Sequence, residues 1–142
     1  MLKRYILILF IATVYSQNYY ISPGINLTFN EYKHLSLGFQ MSIGASYEII
    51  HASMGLGGVY SLQNQEFRTY NFIGGGLTFL RFEYGNVKLK ISGQSKNGKR
   101  TNILFGTSYS NSELFHSFES STLDNDTKIK RHNWIKFPII IK

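Results

Sequence analysis

From His34 to Leu62, apolar and polar residues alternate almost without interruption. Leu35, Leu37, Phe39, Met41, Ile43, Ala45 and Tyr47 share one parity, and Ser36, Gly38, Gln40, Ser42, Gly44, Ser46 and Glu48 share the other. The parity flips near Glu48, after which Ile50, Ala52, Met54, Leu56, Tyr60 and Leu62 carry the apolar side. A period of two means strand, because successive side chains of a strand point to opposite faces. The two segments predict a hairpin. Setting Tyr47 opposite Ile50 places Ala45 against Ala52, Ile43 against Met54 and Met41 against Leu56, so each apolar residue meets an apolar partner. The turn between them, at Glu48 and Ile49, has poor turn chemistry. The polar face is made of Gly, Ser, Gln and His instead of the Lys and Glu of a solvated sheet. Such a face suits a crowded polar lumen with the apolar face turned to lipid.

The same reading extends along the chain. A first strand over 19–29 sets Tyr19, Ile21, Ile25, Leu27 and Phe29 on one face, and a fourth over 67–80 contains Gly74, Gly75 and Gly76. Strands five and six flank Lys96, Asn97 and Gly98. A three-residue loop there pairs Ile91 with Ile103, Leu89 with Phe105 and Val87 with Thr107, leaving Lys88 and Lys90 on the other face. A seventh strand is expected over 114–119 and an eighth over 132–141, where Pro138 demands a bulge or an unpaired position. The outer loops then fall at 30–33, 62–66, 96–98 and 120–131, and the inner turns near Glu48, at 83–86 and at 110–112. The fold class is all-β: an antiparallel up-and-down barrel of about eight strands, transmembrane, closed because an open edge in lipid strands its N–H and C=O groups.

Bulk properties narrow the picture. The 142 residues make one domain, rich in aromatics (10 Tyr, 11 Phe) and Gly (13), which argues against disorder. Residues 1–16 read as a secretory signal, with Lys3 and Arg4 ahead of the apolar stretch 5–14. Val14 and Ser16 precede cleavage before Gln17, leaving 17–142 as the barrel domain. No other apolar run is long enough for a spanning helix. With no Cys, disulfides and thiolate metal sites are excluded. The +7 formal charge is compatible with lipopolysaccharide or anionic headgroups, and no aromatic-interleaved basic patch points to nucleic acid.

No catalytic, cofactor-binding or metal-binding set emerges. His34, His51, His116 and His132 are scattered, and His51 is expected to face the lumen opposite Ser46 as a hydrogen-bonded histidine. Asp124, Asn125, Asp126 and Thr127 begin like a calcium loop but lack its Gly and closing Glu, so a solvated loop is expected. The three consecutive glycines open no helix and read as close packing or a bend. The cluster from Lys96 to Arg100 reads as a solvated hairpin tip.

The opening Ile21-Ser22-Pro23-Gly24-Ile25-Asn26-Leu27, the strands over 35–62 and the segment Trp134-Ile135-Lys136-Phe137-Pro138-Ile139-Ile140-Ile141-Lys142 resemble the small outer-membrane β-barrels of Gram-negative bacteria, of the porin-T-like and OmpA-like kinds. It differs from them in ending on Lys142 instead of an aromatic residue, as a truncated or divergent member would. The resemblance implies an outer-membrane protein that meets membrane lipid or lipopolysaccharide and the barrel assembly machinery. It further implies a monomer with a structural, adhesive or envelope-assembly role, and no enzyme. The alternative is a soluble periplasmic or secreted barrel that binds an apolar ligand inside. The two invert the faces: Phe39 and Ile43 meet lipid in the first and line a core in the second.

Overall fold

The computed structural model describes residues 18–30, 34–109 and 112–138. The segment 1–16, expected as a signal, lies outside the described residues, as do 139–142 of the expected last strand. Eight antiparallel strands follow one another around a closed barrel: β1 (Asn18–Asn30), β2 (Leu35–Tyr47), β3 (Ile50–Ser61), β4 (Glu66–Leu77), β5 (Leu80–Ile91), β6 (Gln94–Tyr109), β7 (Ser112–Leu123) and β8 (Lys128–Pro138). Each strand pairs with its sequence neighbour, and β1 pairs with β8 from Gly24↔Pro138 to Asn30↔Arg131. Closure leaves no edge along that seam, which removes the unpaired backbone groups an open sheet presents.

The β2–β3 hairpin has the register expected from the apolar alternation: Tyr47↔Ile50, Ala45↔Ala52, Ile43↔Met54 and Met41↔Leu56. Its two-residue turn works without glycine because Glu48 itself takes a left-handed φ of 51°. Thirteen-residue strands such as β2 rise about 3.3 Å per residue. Tilted by about 40°, they span the roughly 25 Å apolar band of a small membrane barrel.

The β5–β6 hairpin differs from expectation. Its turn is Ser92-Gly93, flanked by the pair Ile91↔Gln94, and the ladder runs Leu89↔Lys96, Val87↔Gly98, Phe82↔Ile103 and Leu80↔Phe105. Lys96, Asn97 and Gly98 therefore lie within β6, not in a loop. Both turn residues have positive φ, 49° and 82°, the condition for a tight hairpin whose twist matches its strands. A Cβ on Gly93 meets nothing within 4 Å. Gly93→Ala should therefore cost only its backbone strain, about 1 kcal/mol, read as a lower urea midpoint. No change in midpoint would show that the turn relaxes freely.

Two other boundaries shift with it. The residues 83–86 lie inside β5, and the β4–β5 connection is Thr78-Phe79. The expected loop 120–131 shrinks to 124–127, because β7 continues to Leu123 and β8 begins at Lys128. The irregularity of β8 lies at Trp134, between the paired positions Asn133 and Ile135, and Pro138 closes the β1–β8 ladder at its end. A proline there forgoes its hydrogen bond without interrupting the sheet. The connections 62–65 and 124–127 share one end of the barrel with the Ser92-Gly93 turn, and the two-residue turns Glu48-Ile49 and Thr78-Phe79 occupy the other. Residues 31–33 of the expected first outer loop and 110–111 of the expected last inner turn lie outside the described residues.

Candidate functional site

The strands sort their side chains by face. Outward stand Ile21, Leu37, Phe39, Ile43, Leu56, Phe82, Tyr84, Phe105 and Phe118, with Phe39 62% and Ile43 54% exposed. Inward stand Tyr20, Ser22, Asn26, Gln40, Ser42, Arg68, Tyr70, Arg81, Glu83, Arg100, Asn102, Glu113, Glu119 and Ser121, all buried. The alternative of an apolar interior ligand pocket finds no room among these side chains, which make the interior polar and charged at their level. In an eight-stranded barrel the lumen is just wide enough for side chains to fill it, and here they do.

The glycines of the inner face explain how. A Cβ on Gly57 would stand 2.5 Å from the Tyr70 ring, and one on Gly44 would stand 2.5 Å from the Tyr20 ring. The small face seen in the sequence is the space over which two aromatic rings lie, each from the residue paired directly opposite on the adjacent strand: Tyr20 over Gly44 and Tyr70 over Gly57. Gly74 in the same way lets β4 approach Phe82 and Glu83 closely.

Two charged layers cross the lumen. In one, Arg100 donates through Nε to Glu119 Oε2 and through Nη2 to Glu83 Oε2, each at 2.9 Å. Arg68 reaches Glu119 from the opposite wall, joining β4 to β7. Asn102 donates to Glu83 at 3.0 Å and Ser121 to Glu119 at 3.3 Å. The Arg100 guanidinium lies 4.2 Å from the Tyr70 ring centre, close enough for a cation–π contact. The Tyr70 hydroxyl accepts from Asn26 Nδ2 at 2.8 Å and donates to Gln40 Oε1 at 3.1 Å, which ties β4 to β1 and β2. In the other layer Arg81 grips Glu113 with both arms, at 3.0 and 2.6 Å, and rests over the Phe115 ring. Arginine suits these positions because its planar fork meets a carboxylate with two parallel bonds and stacks on aromatic rings.

His51 faces the lumen opposite Ser46, as expected. Its Nδ1 lies 3.4 Å from Arg81 Nη2 and its Nε2 lies 3.3 Å from Thr78 Oγ1. The remaining histidines are dispersed: His34 precedes β2, His116 faces outward, and the side chain of His132 lies outside the described residues. Asp124 to Thr127 form the β7–β8 turn, closed by the Leu123 N–H donating to the Thr127 carbonyl at 2.9 Å. Arg100, expected at a solvated hairpin tip, is instead 1% exposed at the centre of the first layer.

On the loop-bearing side of these layers, Val59, Val87, Leu89 and Leu123 pack with Tyr70 and Phe72 into an apolar cluster inside the barrel. Near Arg81 and Glu113 there remains a cavity of about 20 Å³, lined by Tyr20, Ser22, Gln40, Ser42 and Ser53 among others. That is room for about one water molecule. Among the described residues no group of three or more His, Asp or Glu side chains is arranged to hold a metal ion. What the arrangement does chemically is to hold a narrow tube shut.

No protein-family model matches the chain, and no curated protein matches it by sequence. The fold is similar to two solved structures. Neisserial surface protein A (NspA) superposes with a TM-score of 0.50 at 7% identity, over 87% of this chain and 96% of that one. Ail, the attachment invasion locus protein of Yersinia pestis, superposes with a TM-score of 0.43 at 14% identity, over the same shares. At such identities the likeness to NspA bears on the eight-stranded barrel fold and on nothing finer.

Proposed function

We propose that this chain is an outer-membrane barrel with a sealed lumen, whose role is structural, adhesive or in envelope assembly and not transport or catalysis. The observation that carries the reading is the inversion of a soluble protein's faces. Large apolar side chains cover the exterior, while guanidinium and carboxylate groups fill the interior. In water such an exterior is a continuous aggregation surface. In hydrocarbon it is the low-energy face, and closure satisfies the backbone. The polar connections at one end, with exposed Lys96 at the rim, are the surface a monomer of this kind presents outside the cell. Membrane lipid and the assembly machinery of such barrels are its expected partners, and nucleic acid is not among them.

The test has two arms. After a carbonate wash the protein should stay with membranes and show a heat-dependent shift in gel migration. A chain recovered wholly in the soluble fraction would sink the membrane reading. In planar bilayers the folded protein should give no stepwise conductance, because its charged layers and the apolar cluster beside them block the lumen. Regular conductance steps would refute the sealed interior.

A further inference from the structure

We propose that the outer wall from β2 to β6 carries a lipid site, resting on the membrane reading above. It takes a phosphate of a multiply acylated, phosphorylated glycolipid at Lys88 and Lys99, and one acyl chain in the trough beside them. The first support is a sorting of charge. Arg68, Arg81 and Arg100 and the strand glutamates Glu66, Glu83, Glu113 and Glu119 are buried, whereas Lys88, Lys90, Lys99, Lys128 and Lys130 are exposed on strands β5, β6 and β8. A lysine on the outer wall of a membrane barrel lays its alkyl stem along apolar neighbours and lifts its ammonium to the headgroup level.

The second support is a local break in the sheet. The β4–β5 ladder runs from Phe67↔Lys90 to Tyr70↔Val87 and resumes at Ile73↔Tyr84. Between these, Asn71 Oδ1 accepts from the Asn86 backbone N–H at 3.1 Å and from Asn86 Nδ2 at 3.3 Å. Lys99 Nζ donates to Asn86 Oδ1 at 2.6 Å, which fixes the ammonium at this spot. A cleft of about 540 Å³ opens here, with Thr69, Lys88, Lys99 and Asp124 around it. Through Leu56, Asn71, Asn86 and Lys99 it continues into a trough of about 750 Å³ walled by Ile43, Met54, Ile73 and Tyr84.

The groove therefore has a cationic head and an apolar body. Its head lies toward the end with the longer connections, the end that faces outside in such barrels. That orientation matches a lipid of the outer leaflet. A phosphate monoester carries about −1.5 to −2 charges at neutral pH, which suits two lysines better than the single charge of a phosphodiester. The Asp124 carboxylate on the rim repels phosphate but accepts hydrogen bonds from sugar hydroxyls, which a glycolipid supplies.

The barrel, reconstituted in phosphatidylcholine nanodiscs, would be offered bisphosphorylated lipid A, the same lipid with its phosphates removed, and phosphatidylglycerol. Retention is read by native mass spectrometry. Bisphosphorylated lipid A should be retained best, and Lys88→Gln/Lys99→Gln should weaken its retention about 30-fold, as loss of two headgroup contacts implies. Lys128→Gln/Lys130→Gln, with the same change of charge, should leave retention unaltered. Leu56→Trp, which fills the trough without touching charge, should also displace the lipid. Equal loss in both lysine pairs, or none in either, overturns the site. Phosphatidylglycerol retained as well as lipid A overturns the glycolipid as its occupant. A wild-type chain that never inserts into bilayers would strike the membrane reading and this site with it. Insertion without phosphate preference would strike the site alone.

Discussion

Replacing Arg100 with methionine should lower the stability of the barrel by about 3–5 kcal/mol, the usual cost of removing one partner from a buried ion pair. Arg100 is 1% exposed and donates to Glu119 and Glu83 at 2.9 Å each. Its loss takes the cation from between two carboxylates that the fold has already desolvated. Arg100→Lys should recover less than half of the loss. A single ammonium cannot span both carboxylates, nor stack on Tyr70 as the planar guanidinium does. Pairing Arg100→Met with Glu83→Gln should return part of the stability, because one of the two buried negative charges is then gone. Urea titration of protein refolded in lipid vesicles, followed by gel migration, measures all three. A loss below about 1 kcal/mol for Arg100→Met would mean that water reaches the layer and screens it.

The second large effect is expected on the opposite face, one residue apart. Ile43→Arg should destabilise the barrel by about 2–4 kcal/mol if its position is near the middle of the membrane. Ser42→Ala should cost about 1 kcal/mol or less, since it removes one weak bond from Ser42 Oγ to the Ser22 carbonyl, at 3.3 Å. Spin labels at the two positions give a direct reading in a bilayer. The label at 43 should be relaxed by oxygen dissolved in lipid, and the label at 42 should be shielded. Equal oxygen access at both positions would end the barrel reading of β2.

The β2–β3 hairpin was legible because apolar residues occupy its outer positions from end to end, so one face pattern admits one register. The β5–β6 hairpin was not, because its outer face changes character halfway. Leu80, Phe82 and Tyr84 are followed on the same face by Asn86, Lys88 and Lys90, while Val87 and Leu89 turn inward. Matching apolar with apolar there selects a register that the backbone does not adopt. The dipeptide Ser92-Gly93 was the better signal, since Gly supplies the positive φ that a tight hairpin needs.

The lumen network was hidden for a different reason. Arg68 finds Glu119, and Arg81 finds Glu113, across 51 and 32 residues of chain. No local spacing records such a pairing. A weaker signal was present in the neighbours: Arg81 and Glu83 alternate with Leu80, Phe82 and Tyr84, and Glu119 follows Phe118. A charge set between outward aromatics on a strand is a charge that faces in.

The Arg68–Glu119 contact ties β4 to β7, and the Arg81–Glu113 contact ties β5 to β7. Neither contact exists within a single hairpin. An isolated β4–β5 hairpin would carry Arg68 and Arg81 into hydrocarbon without those partners, at a cost of at least about 2.5 kcal/mol for each charge at mid-depth. Stepwise entry, hairpin by hairpin, is thus penalised at every stage before the wall is complete. The charges match only when β4, β5, β6 and β7 curl together around one lumen, so these four strands enter the bilayer as a unit and not as two successive hairpins.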